Sequence, residues 1–282
     1  MKKVDDYIDQ AQHLPPAPTV LPQLMQLLGK SDVGSSEVID LIIYDPALTA
    51  SVIRTANSAY LGGRQQVTNL HEAVTRIGMS EIFKLVASVI GHREMSAQCG
   101  GYGMQSGELW KHAVTSATAA QLMARDLGDD DCLCFTAGLL HDIGKIVLTE
   151  VLEDIYTELV ERTITQHVSL MEAETLLLGV HHAEIGARLL ERWNFPETLV
   201  MSVRFHHSPS EAKPHERVAA CVYLGNIISN YMGHNYGDLA FAQHGREDAL
   251  KILGLDAEDV PKYMIKTFDQ FERIEQLFCI DS

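Results

Sequence analysis

Long apolar runs are missing from this chain of 282 residues, and no stretch is expected to cross a membrane. Paired cysteine spacing is missing as well. The five cysteines, Cys99, Cys132, Cys134, Cys221 and Cys279, are odd in number and contain no C-x-x-C. A zinc ribbon or a disulfide framework is thereby excluded, and the reading is of reduced, mostly buried thiols in a cytoplasmic protein. Positive charge is scarce: 22 Lys and Arg stand against 38 Asp and Glu, a formal net charge of −16. A broad surface for DNA, RNA or anionic lipid is not expected from such a balance, because polyanions are repelled overall. The opening MKKVDDYIDQ lacks the apolar core of a signal peptide. Strand signals, meaning alternating runs bounded by turn pairs, are nearly absent.

What remains is helical periodicity, and the chain reads as all-α. PQLMQLL (22–28), SSEVIDLIIYD (35–45) and LTASVIRTANSAYL (48–61) repeat apolar residues at helical spacing. HLPPAPTVLP (13–22) carries four prolines and reads as an extended lead-in. Asp45–Pro46 and Gly62–Gly63 read as turns, and the glycines of QCGGYGMQSG (98–107) as a boundary. ELWKHAVTSATAAQLMARDLG then predicts a long helix stopped by Gly128, with Asp129, Asp130 and Asp131 ready to cap the next. Further helices are expected over about 150–167, in HAEIGARLLERW, in PETLVMSVRFHH with Pro196 in its first turn, and over 216–232. The tail, 238–282, predicts two or three shorter helices.

The chemistry sits in the histidines. Seven of the thirteen lie between 112 and 207. Glu108 and His112 are four apart and project from one helix face. His141 and Asp142 are adjacent in GLLHDIGK, a carboxylate and an imidazole in apolar surroundings that call for a partner. His182 begins a helix, and His206 and His207 end another. Imidazole and carboxylate suit divalent Fe, Mn, Zn or Ni, and a carboxylate such as Asp142 can bridge two ions, an arrangement used for phosphoryl transfer. Structural readings compete with these: Asp142 as a helix cap, His141 as a core histidine, Glu108 as a solvated first-turn residue, His206–His207 as a surface terminus, Lys145 as a surface lysine. His181 is expected to face solvent. His13, His71, His92, His167, His215, His234 and His244 are given no role. ANSAYLGG (56–63) could cradle phosphate but more simply lets Asn57 and Ser58 close a helix.

In order, Glu-x3-His, His-Asp-x2-Lys, a lone His and His-His resemble the HD superfamily of metal-dependent phosphohydrolases. YDPALTASVIRTANSAYLG, VTNLHEAVTRIGMSEIFKLVAS and HAEIGARLLERWNFPETLVMSVRFHH sharpen that to the HDOD family, the HD-related output domains of bacterial signalling, over roughly residues 14–230. The resemblance implies an all-α fold, an HD-type helical core with an additional N-terminal lobe. It divides the chain into an N-terminal lobe over 1–103, an HD-like lobe with the metal site over 104–236, and C-terminal helices over 237–282. It implies His112, His141, Asp142, His182, His206 and His207 as ligands of one or two divalent ions. It adds Glu108 by likeness to the HD-GYP relatives, which cleave cyclic di-GMP, and makes Asp142 and Lys145 catalytic, Lys145 meeting a phosphate oxygen.

Two departures stand out. Asn226 takes the place of the relatives' last aspartate, and the G-Y-P loop is replaced by RFHHSPSEAKP. The expectation is accordingly double: a phosphohydrolase of a nucleotide or cyclic nucleotide, or a stand-alone output module without turnover that binds a protein partner or a nucleotide. Arg54, Arg64, Arg76, Lys84 and Arg93 make the first lobe mildly basic within an acidic chain, which favours a protein partner over DNA.

Overall fold

Apolar positions three and four apart, with good caps at both ends, are what an α-helix needs, and here they give helices and no β-strand among the described residues. The computed structural model describes residues 3–11, 20–28, 34–43, 46–57, 67–95, 102–152, 168–234 and 246–278, with isolated positions between 155 and 166. Before residue 103 come α1 (Val4–Gln10), α2 (Val20–Leu28), α3 (Ser35–Ile42), α4 (Pro46–Ala56), α5 (Leu70–Ile77) and α6 (Met79–Met95). After it come α7 (Glu108–Leu127), α8 (Asp131–Leu140), α9 (Gly144–Leu152), α10 (Leu170–Leu178), α11 (His182–Arg192), α12 (Glu197–Arg204), α13 (Glu216–Tyr231), α14 (Arg246–Leu253) and α15 (Asp259–Phe278).

Local chemistry sets these boundaries. Gly128 closes α7 in the left-handed region, at φ 75°. The Asp130 carboxylate accepts the Leu133 N–H at 2.9 Å and starts α8. Ser169 and Glu172 form a reciprocal capping box at the start of α10. Asn57 closes α4, its Nδ2 donating to Ile53 O at 3.0 Å and to Val67 O at 2.7 Å. Three expectations are corrected. Val20 and Pro22 belong to the first turn of α2, where a proline needs no N–H partner, so the extended lead-in does not reach residue 22. Pro196 caps α12 from outside its first turn. The last helix, α15, is 20 residues long and not short, because Val260, Tyr263, Thr267 and Phe271 form one continuous buried stripe. The expected helix over 150–167 falls mostly outside the described residues; α9 itself ends at Leu152. Residues 12–19, Asp45, the Gly62–Gly63 turn, residues 98–101 with Cys99, and Cys279, His13, His167 and His244 also lie outside them.

One hydrophobic cluster extends from Tyr7 and Ile8 to Phe271, and a second gathers α7, α13, α14 and α15 around Met123, Tyr223 and Leu253. Helix α7 is central: its residues from Leu109 to Ala124 are buried except Lys111, and α8, α13 and α15 pack on it. Tyr7 ties α1 to the end of α10 by donating to Leu178 O at 3.1 Å. Asp5 and Asp9 pair with Arg188 and Arg192 of α11. The segment Asp131–Thr149 is long and apolar enough to cross a membrane, which the sequence reading missed. In the fold it is interrupted at residues 141–143 and 78% buried among other helices, as a core element is.

Both glycines that bracket His141–Asp142 are places where helices touch. A Cβ on Gly138 would sit 2.7 Å from Ala117 Cα of α7, and one on Gly144 would overlap the carbonyl oxygen of His182. Gly144 therefore lets α9 meet the start of α11 backbone to backbone. Replacing it, Gly144→Ala, is expected to lower unfolding stability by about 1–3 kcal/mol through enforced separation of these helices. Chemical denaturation of the two proteins checks this; an unchanged midpoint would show that the contact is slack.

Candidate metal centre

Four helix ends or faces bring the histidines together. His112 comes from the buried side of α7, His141 caps α8 and Asp142 follows it, His182 opens α11, and His206 and His207 follow α12. His112, His141, Asp142, His182 and His206 are almost fully buried, and His207 is partly exposed. Asp142 lies at the middle. Its Oδ2 is 3.6 Å from His112 Nε2 and 3.3 Å from His141 Nε2, while its Oδ1 is 3.3 Å from His182 Nε2 and 3.8 Å from His206 Nε2. His207 Nε2 is 2.9 Å from His182 Nε2. The donors thus form two sets, His112–His141–Asp142 and His182–His206–His207, with one carboxylate facing both.

The other ring nitrogen of four of these imidazoles is already engaged. His141 Nδ1 lies 2.7 Å from Gly138 O and His206 Nδ1 lies 2.7 Å from Val203 O, the same local device at two helix ends. His112 Nδ1 lies 2.6 Å from His234 O, and His182 Nδ1 lies 2.7 Å from a Glu174 carboxylate oxygen. Carbonyls and carboxylates only accept, so each of these Nδ1 atoms carries the hydrogen and each Nε2 presents a lone pair. His112 Nε2 and His141 Nε2 consequently face each other, lone pair to lone pair, at 3.2 Å. Only positive charge between them, a proton or a metal ion, relieves that opposition. His206 Nε2 is buried and has no hydrogen-bond partner among the described residues, a cost of about 1–3 kcal/mol unless something meets it. Donors around one small cation at bonds of about 2.0–2.2 Å must stand about 3 to 3.5 Å apart, which is close to the spacings found. The residues fit a divalent ion.

Electrostatics agrees. Burial pushes His112 down to about 3 and holds His206 and His207 well below the usual imidazole range, so all three are kept as neutral ligands. Burial alone would raise the Asp142 carboxyl, but His141 and Lys145 outweigh it and hold it well below the carboxylate range. Lys145 is buried, not on the surface, and its Nζ lies 2.7 Å from Asp142 Oδ2 and 5.7 Å from the centre of the Tyr102 ring.

Glu108 is placed differently. It is exposed at the start of α7 and its carboxylate accepts the Gln105 N–H at 2.7 Å, apart from the two donor sets. His181 does not face solvent as expected: it is partly buried, its ring 6.2 Å from that of His182. Asn226 is buried on α13 and its side-chain oxygen accepts from Asn230 at 3.2 Å. Two contributors escaped the sequence. Glu174 is fully buried and accepts from the His182 N–H at 2.8 Å and from Tyr102 OH at 2.7 Å, besides His182 Nδ1. Burial works to raise its pKa, yet His182 holds it below the usual value. His234 supports His112 through its carbonyl; its ring is held by Thr115 Oγ1 at 2.8 Å and lies 4.6 Å from that of Phe271.

The HDOD domain matches residues 14–209. A Treponema pallidum protein of uncharacterised function is 30% identical over 73% of this chain, which spans 40% of that protein's length. An HDOD domain protein of unknown function from Geobacter sulfurreducens shares the fold at a TM-score of 0.78 and 21% identity, covering 98% of this chain and 97% of its own. A Shewanella amazonensis protein described as a candidate phosphohydrolase does so at 0.72 and 23% identity, covering 96% of this chain and 97% of its own. Matched across most of its length by that domain, and carrying the buried histidines and aspartate at one centre, the chain belongs to the HDOD family.

Proposed function

We propose that the protein is a metal-dependent phosphohydrolase of nucleotide-type phosphoesters, with two divalent ions held by one carboxylate. One observation carries this reading: the two oxygens of buried Asp142 face two separate sets of imidazoles. Ions bound there would lower the pKa of a water and offset charge on phosphate oxygens. His112 and His141 would hold one, His182, His206 and His207 the other. The chain's own part is to keep the imidazoles neutral by burial and to orient them through their Nδ1 partners. Lys145 would add its charge beside Asp142 and so fix the carboxylate's direction. The Shewanella amazonensis likeness supports the choice of reaction class. Acting in the cytoplasm on a small soluble substrate suits the acidic charge and the free thiols of Cys132, Cys134 and Cys221.

A second reading, an output module that binds a protein partner or a nucleotide without turnover, draws on Asn226. An amide at the position of the relatives' last aspartate brings no charge to a second ion. On that reading one ion serves structure.

Purified protein is expected to carry one to two equivalents of Fe, Mn, Zn or Ni by elemental analysis, and Asp142→Ala less than a tenth of an equivalent. Metal-poor wild type would end both metal readings. Chelation is expected to lower the melting temperature and re-addition of the ion to restore it, since an ion bound only by the folded state adds RT ln(1 + [L]/Kd), about 2.7 kcal/mol at a hundredfold excess over Kd. With Mn or Fe supplied, turnover of cyclic and linear nucleotide phosphoesters should fall at least a hundredfold in His141→Ala. Full metal content without any turnover favours the second reading.

A further inference from the structure

We propose that Glu174 is a positioning residue that keeps His182 available as a ligand by denying it a hydrogen bond to Asp142. The inference rests on the metal-centre reading. His182 Nε2 lies 3.3 Å from Asp142 Oδ1, within reach of an ordinary imidazole–carboxylate hydrogen bond. Carrying its hydrogen on Nε2, this ring would donate to Asp142 and close the second donor set against a cation. Glu174 prevents that arrangement. Its Oε2 accepts the main-chain N–H of His182 at 2.8 Å and faces Nδ1 of the same residue at 2.7 Å. A carboxylate offers no hydrogen, so the ring hydrogen is drawn to Nδ1 and the lone pair is left on Nε2, directed at Asp142 and His207.

The carboxylate is itself fixed. Tyr102 donates to Oε1 at 2.7 Å, so both oxygens are engaged and the group does not turn. The Tyr102 ring also lies 5.7 Å from Lys145 Nζ, which is bonded to Asp142. Tyr102 thus touches the supports of both the Asp142 carboxylate and the second donor set. The first donor set has a different support, the His234 carbonyl on His112, so loss of Glu174 should act on one half of the centre.

Nitrogen-15 spectra of histidine-labelled, chelator-treated protein read the ring directly, without any metal. Wild-type His182 is expected to carry its hydrogen on Nδ1, and Glu174→Ala to move it largely to Nε2. Titration with Mn2+ alone, followed by loss of the free-ion paramagnetic resonance signal, reads the consequence. Affinity of the weaker equivalent should fall about 10- to 100-fold in Glu174→Ala and less in Glu174→Gln and Tyr102→Phe, which preserve shape. A folded Glu174→Ala protein with the wild-type tautomer, or with affinity within twofold of wild type, overturns the proposal. Should that variant not fold, unchanged affinity in both Glu174→Gln and Tyr102→Phe overturns it. Wild-type protein that takes up no Mn2+ removes the metal reading and this inference together, whereas wild type and variants binding alike remove this inference alone.

Discussion

Everything in this fold answers to a carboxylate placed where water does not reach. An ion in a low-dielectric interior is expensive unless its charge and lone pairs are met. Lys145 meets one oxygen of Asp142, and imidazoles from three other helices stand around the carboxylate with their Nε2 lone pairs turned to it, an arrangement that only a cation shared between them satisfies and that brings those helices close. Small residues allow it: Gly138 against Ala117 brings α8 onto α7, and Gly144 against His182 brings α9 onto α11. The packing of the core and the geometry of the centre are therefore one problem, and a residue that seems only to fill space also sets donor distances.

The N-terminal helix is part of the same arrangement. Through Tyr7 it holds the end of α10, the helix that supplies Glu174, and through Asp5 and Asp9 it holds α11, which supplies His182. The exposed ion pairs contribute little individually, while buried Tyr7 and Ile8 supply most of the adhesion. At the other end, α15 meets the centre through Phe271 and His234. Each donor set is thus connected to a different end of the chain.

Much of this was legible in the sequence, because helical periodicity fixes which residues share a face and the histidines fall at helix ends. His141 and His206 find their Nδ1 partners three residues back, so their orientation is local. What could not be read comes from packing. Glu108 shares a face with His112, yet its position in the first turn takes it into solvent, where the Gln105 N–H claims it. Glu174 did leave a trace: it stands four residues from both Leu170 and Leu178, a carboxylate on an apolar stripe, with the capping role already filled by Glu172. The support from His234 left none, since a main-chain carbonyl has no letter in the sequence. Lys145 reads as a surface lysine until its helix is seen to be enclosed. The length of α15 escaped because apolar residues on its exposed side, Ile265 and Phe268, blur the buried stripe when only the sequence is read.

Of the six gathered donors, His207 alone retains contact with solvent. The set that holds His207 is for that reason the one nearer solvent among the described residues, and the other, between α7 and α8, is wholly enclosed. A cation held in the enclosed set would need the surrounding helices to move before it could leave. Its residence time would follow the breathing of the protein rather than the strength of the bonds alone, so the innermost ion would behave as part of the fold and the outermost as a visitor.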